Sequence, residues 1–301
     1  MTLPHIPDPI PGDRASADAV ELVVIPRLAD LGSFHVRRVL PSKDRQMVGP
    51  FVFLDSFGPA AFRIGEGLDV RPHPHIGLAT VTYLFDGEIM HRDSLGSSCA
   101  IRPGDLNWMN AGKGIVHSER TPAQARRKGA RINGLQAWVA LPKHLEEGEA
   151  SFVHHGAADQ PVIAGEGKSV RLIAGGLYGA KAPVKTASEL FYADVTLDAG
   201  QKLPLDADHE ERSLYLLKGR ITLGEQAYEP ERLLIFAPGE RATIAAESDA
   251  RFLLMGGAPL EGPRHVWWNF VSSSRERIEQ AREDWAQGRF DTVPGDAEIV
   301  V

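Results

Sequence analysis

The stretch from Arg71 to Arg120 constrains this chain more than any other. It consists of short strand-like runs cut by glycine and proline turns, and two pairs of metal-type side chains bracket it. His75 to Phe85 reads as one strand, rich in Thr, Val, Ile, Leu and Tyr, with Gly77 its single weak point. Asp86-Gly87 is a hairpin signal, and Glu88 to Asp93 reads as the returning strand. Gly96-Ser97-Ser98 turns again, and Pro103-Gly104-Asp105 makes a third tight turn before Leu106 to Met109. Ala111-Gly112-Lys113-Gly114 lets the backbone bend before Ile115-Val116-His117. Pro74 cannot donate to a strand ladder, which places His73-Pro74 at a strand start or edge. Strands this short, joined this way, predict a small antiparallel barrel or jelly roll with the metal inside.

His73 and His75 stand at i and i+2, so on a strand both imidazoles point to one face. His117 and Glu119 repeat that spacing, with His117 forty-two residues after His75. One such pair is ordinary surface chemistry. Two pairs on neighbouring strands offer His73, His75, His117 and Glu119 to a single ion. Neutral imidazole and carboxylate suit iron, manganese, copper, nickel or zinc. A four-coordinate zinc would be closed, as structural sites are. Iron or manganese takes more ligands and would keep positions open for water, substrate or dioxygen. The four residues alone do not choose between these cases. His91 stands either behind the ligands or at the surface. Trp108, Met109 and Phe53 form either an apolar wall for a flat aromatic substrate or plain core.

At 301 residues the chain is long enough for two domains of ordinary size, and a boundary near residue 150 is expected. Residues 1–150 would then hold the metal and 151–301 would not. The formal charge of -7 argues against a nucleic-acid surface built on net basicity. Arg126-Arg127-Lys128 is short and reads as a solvated loop. Residues 1–18 are proline-rich, with no basic or apolar leader region. No apolar run of about 18 residues is present, so no membrane span is expected. The single cysteine, Cys99, cannot form an internal disulfide and reads as a small buried hydrophobe. Together these features predict a cytoplasmic protein. His154-His155 falls in a charged, turn-like segment and reads as loop.

The second half repeats the first. Thr80 to Gly87 aligns with Arg212 to Gly219 at an offset of 132, Pro103 with Pro230, and Ala111-Gly112 with Pro238-Gly239. On that alignment His73 and His75 become Leu205 and Ala207, while His117 and Glu119 become Ile244 and Ala246. The second copy is therefore expected to bind no metal. Near the end, Ser273-Ser274-Arg275-Glu276 fits a capping box, Ile278, Ala281 and Trp285 make an apolar helical stripe, and Gly288 is a C-terminal stop. Trp285 is expected to pack on a barrel.

The segments HPHIGLATVTYLFDGEIMHRDSLG and RPGDLNWMNAGKGIVHSE resemble the signature of the pirin family, within the cupin superfamily. GLQAWVALP and NFVSSSRERIEQAREDWAQGRF resemble pirin sequence as well, so the likeness runs from about Phe34 to Phe290. It implies an all-β chain of two tandem cupin-type antiparallel β-barrels, a bicupin, with a C-terminal helix. It also implies one divalent transition metal in the first barrel, held by the four residues the spacing selects. Iron(II) is favoured, with Mn, Zn, Ni and Cu as alternatives. One departure is visible: many members have a glutamate four residues after the second histidine, where this chain has Ala79. The resemblance suggests two functions. One is a quercetin 2,3-dioxygenase, with Glu119 as ligand and catalytic base on a flavonol. The other is a metal- or redox-sensing regulator that binds a partner protein. A sugar- or small-acid-binding cupin is a third option. None of these requires direct contact with nucleic acid or membrane.

Overall fold

The structure is a computed structural model that describes residues 19–30, 35–296 and 298. The proline-rich lead-in at 1–18 and Phe34 lie outside the described residues. Contacts divide the chain into two compact units. Among the described residues, one comprises 28–30, 35–38, 51–157, 260–296 and 298; the other comprises 19–27, 39–50 and 158–259. The first barrel's unit runs on to residue 157, taking in the strand Ser151–His155, and the described residues from Leu260 onward group with it.

The first unit is built on two antiparallel sheets. A seven-stranded sheet runs in the order Ser151–His155, Leu106–Asn110, Leu78–Gly87, Arg131–Ala140, Phe51–Ala61, His35–Leu40 and Arg27–Asp30. A four-stranded sheet runs Asp69–His75, Ile115–Arg120, Ile89–Asp93 and Ser98–Ile101. Val36, Phe57, Leu68, Leu84, Ile89, Ile101 and Ile132 fill one end of the space between them. Each such side chain contributes about 1.5–3 kcal/mol by leaving water. The polar side chains described below occupy another part of the interior. Pro74 lies on an outer strand of the smaller sheet, where its missing N–H costs no ladder bond.

Three expected features differ. His75 to Phe85 is not one strand, because the chain passes from one sheet to the other at Ile76-Gly77. Gly77 permits this with φ of 67°, and a Cβ there would stand 2.0 Å from the Val271 carbonyl oxygen. Asp86-Gly87 likewise returns the chain to the other sheet and closes no hairpin within one sheet. His154 and His155 belong to a strand, not a loop.

The second unit repeats the design with an eight-stranded and a four-stranded sheet. Its smaller sheet runs Lys202–Leu205, Ala242–Ala246, Ile221–Leu223 and Gln226–Tyr228, the same order as in the first unit. Strand register corrects the alignment made from sequence. His73 pairs with His117 and His75 with Ile115, whereas Leu203 pairs with Ile244 and Leu205 with Ala242. The counterparts of His73 and His75 are therefore Leu203 and Leu205. The connection to the next strand is two residues longer in the second copy, which a constant offset cannot follow. Leu203, Leu205, Ile244 and Ala246 are all buried.

The C-terminal helix, Arg275–Ala286, starts one residue later than a box on Ser273 requires. Ser274 is the cap and accepts from the Arg277 amide, while the Ser273 amide and hydroxyl donate to Glu146. Ile278 and Ala281 pack on Ile76 and Phe270, with Trp285 and Phe290 beside them. Among the described residues, no helix is long and apolar enough to cross a membrane.

Candidate metal centre

The smaller sheet of the first unit brings the sequence-selected residues together through register. His73 sits opposite His117, and Glu119 sits opposite His91 on the other side of the same strand. One ring nitrogen from each of His73, His75 and His117 falls within 4.8 Å of the others. Glu119 joins a second group of that size with His117 and His91. His117 is common to both. A bulge between His117 and Glu119 accompanies the passage from one group to the other.

Hydrogen bonds fix how the rings present themselves. His73 Nδ1 lies 2.7 Å from the Arg71 carbonyl oxygen, and His75 Nδ1 lies 2.9 Å from that of Asn269. A carbonyl only accepts, so both Nδ1 atoms carry the proton and both Nε2 atoms keep a lone pair. His75 Nε2 stands 3.1 Å from His117 Nε2. Burial lowers the proton affinity of all three rings, and their mutual repulsion adds to it for His75 and His117. His73 is lowered to about 4, the Arg71 carbonyl only partly opposing burial. Three neutral, lone-pair-bearing imidazoles are the form in which histidine binds a metal.

The wall opposite is polar where it faces Glu119. Thr82 Oγ1 lies 2.8 Å from Glu119 Oε1 and 2.9 Å from the Gln136 side-chain oxygen. A hydroxyl has one proton, and Thr82 has both the Glu119 carboxylate and the Gln136 amide oxygen within reach to accept it. Burial pushes the Glu119 carboxyl up, against the pull of His91 and of the Thr82 hydroxyl. Ala79 lies out of phase with Thr82, on the opposite face of its strand. The glutamate missing from this chain would therefore not have faced Glu119.

The expected apolar wall is partly replaced. Phe53 stacks on Trp138 with centroids 4.0 Å apart and planes at 13°. Trp138 meets His75 edge-on at 5.2 Å. Met109 belongs to a cluster with Ala111 and Ile115. Trp108 alternates with Met109 and pairs with Val81, so it faces away from the site. Trp138 takes the place expected for Trp108.

His91 is buried; its Nε2 lies 2.9 Å from Asp93, and its ring stacks on Phe152. Burial works to raise the Asp93 carboxyl, but hydrogen bonds from His91 and Ser97 outweigh it and hold it low. Thr82, Gln136, Asp93 and the Asn269 carbonyl also shape the site, and none of them is marked by the spacing of the two ligand pairs in the sequence. Asp93 left a signal, because His91-Arg92-Asp93 is a third i, i+2 pair. Asn269 left none, since a backbone acceptor has no residue type.

Residues 33–139 match the Pirin family model, and residues 192–291 match the Pirin C-terminal cupin domain. A pirin-like protein of Caulobacter vibrioides is 50% identical over 274 residues, covering 90% of this chain and 94% of its own. A Pseudomonas aeruginosa protein provisionally named quercetin 2,3-dioxygenase is 38% identical, covering 90% and 87%. The crystal structure of a quercetin 2,3-dioxygenase from Acinetobacter baumannii superposes with a TM-score of 0.85 at 32% identity, covering 93% of each chain. Two cupin-type barrels, a His/Glu cluster able to hold a metal in the first of them, and these matches make the chain a member of the pirin family.

Proposed function

We propose that this chain is a metal-dependent dioxygenase acting on a flavonol such as quercetin. One divalent ion, iron(II), would be held in the first barrel by His73, His75, His117 and Glu119. The observation that carries this reading is the convergence of three imidazoles, two with lone pairs fixed by backbone carbonyls, beside one buried carboxylate. This donor set fits a borderline divalent ion. Such an ion supplies Lewis acidity and, as iron, the one-electron chemistry that dioxygen requires.

The chain's own residues supply the rest. Glu119 accepts the proton of the flavonol hydroxyl, and Thr82 and Gln136 hold that carboxylate in place. Trp138, stacked on Phe53 and set edge-on to His75, offers a flat apolar face to an aromatic substrate. The names of the Pseudomonas and Acinetobacter relatives support the same substrate class.

Oxygen uptake with quercetin, measured alongside metal content, tests the proposal. Iron-loaded wild type should consume oxygen, His75→Ala should lose metal and turnover together, and Glu119→Gln should keep part of its metal while losing most turnover. No oxygen consumption with any flavonol would remove the dioxygenase reading. The regulator reading would then lead, and one observation favours it. The Asn269 carbonyl on His75 directly follows the exposed Trp267 and Trp268, which could pass the state of the site to a partner protein. A pull-down comparing oxidised with reduced protein tests that alternative.

A further inference from the structure

Four hydrogen-bonding groups line up behind His117. Asp93 Oδ1 accepts from the amides of Leu95 and Ser97, at 3.0 and 2.9 Å. Asp93 Oδ2 lies 2.9 Å from His91 Nε2. His91 Nδ1 lies 3.5 Å from His117 Nδ1, and His117 Nε2 faces His75 Nε2 at 3.1 Å. A carboxylate already engaged by two amides acts as an acceptor, so His91 Nε2 carries the proton. With one proton on the ring, placed at Nε2 by Asp93, the other nitrogen has only a lone pair to offer. In that arrangement His117 donates from Nδ1, which frees its Nε2 on the side where His73 and His75 converge.

We propose that Asp93 and His91 are positioning residues that set the tautomer of His117, preparing its Nε2 as the third imidazole donor of the first barrel. The inference rests on the ligand set proposed above and extends it to two residues that touch no substrate. The second copy provides an internal comparison. Register places Ile221 at the position of His91, opposite Ala246, and Leu223 at the position of Asp93, opposite Ile244. Both are fully buried and apolar. Where the donor residues are lost, the relay behind them is lost too. Thr82 and Gln136 follow the same rule, becoming Leu214 and Leu254.

Two substitutions at His91 separate positioning from packing. His91→Gln can donate its amide to Asp93 and accept from His117 Nδ1, spanning nearly the same distance as the two ring nitrogens. His91→Phe keeps an aromatic ring against Phe152 and can do neither. Zinc(II) is the probe, because it is diamagnetic and binds the same donors; its affinity is measured by chelator competition. His91→Phe should weaken zinc binding by about 10- to 100-fold, and His91→Gln should stay within a few-fold of wild type. Histidine-selective 15N spectra of the metal-free protein provide the second readout. His117 should be the Nδ1–H tautomer in wild type and His91→Gln, and a mixture or the Nε2–H form in His91→Phe. An unchanged His117 tautomer in folded His91→Phe overturns the relay. Equal zinc loss in both variants overturns it as well, since His91 would then act as a direct ligand. Failure of the ligand set itself is distinguishable: it would appear as full zinc affinity in His117→Ala.

Discussion

In the folded chain His73 takes up a proton only near pH 4, whereas the same imidazole in an unfolded chain titrates near 6.5. Between those values the unfolded state binds the proton and the folded state does not, so stability falls as pH drops through that window. His75 and His117, also lowered, act in the same direction. Glu119 has the opposite sign. Its raised carboxyl binds a proton in the fold where the unfolded chain has already released it, which partly offsets the histidines on the acid side. In the presence of chelator, the urea midpoint should therefore fall between about pH 6.5 and 4, and His73→Gln should shallow that fall. Thr82→Val keeps shape but removes the proton that Glu119 accepts. It should cost the metal-free protein about 1–3 kcal/mol in urea unfolding, the range for leaving a buried partner unsatisfied. The four proposed ligands were legible from residue type and period. Thr82 and Gln136 were not, because Thr and Gln on strands carry no chemistry until the opposing carboxylate is placed.

At the scale of elements, the hairpin of His265–Trp267 and Phe270–Ser272 matters more than its length suggests. It delivers the Asn269 carbonyl to His75, and the first barrel holds it through one buried ion pair. Glu146 meets Arg264 at 3.0 Å and also accepts from Ser272 and Ser273. Arg264 in turn donates to the Leu141 carbonyl. Glu146→Ala strands a buried guanidinium and should destabilise the chain by about 3–5 kcal/mol in denaturant unfolding. Metal affinity should fall with it, because His75 loses its tautomer anchor; unchanged affinity would show that the hairpin does not support the site. The helix that follows was readable from its stripe and from Gly288. Its cap was misplaced by one residue because Glu146, 127 residues upstream, takes Ser273 for itself. The crossing at Gly77 was hidden for a related reason. A glycine weak spot in a strand pattern does not reveal that the Val271 carbonyl leaves no room for a Cβ.

Over the whole molecule, the duplication of a barrel was legible from turn order. Its register was not, because the longer connection before Glu211 shifts one strand by two residues. The corrected register strengthens the contrast between the copies. His73, His75, His91, Asp93, His117 and Glu119 correspond in register to Leu203, Leu205, Ile221, Leu223, Ile244 and Ala246 of the second copy. A site that depends on the first set should be single, since the second offers no lone pair suited to a transition ion. The most direct measurement is metal content per chain after loading and removal of excess ion, in wild type, His117→Ala and the surface control His144→Ala. The account predicts about one ion in wild type and in His144→Ala, and a sharp loss in His117→Ala. Equal content in the two variants, or a second tight ion lost only on substitution within residues 203–246, would contradict it.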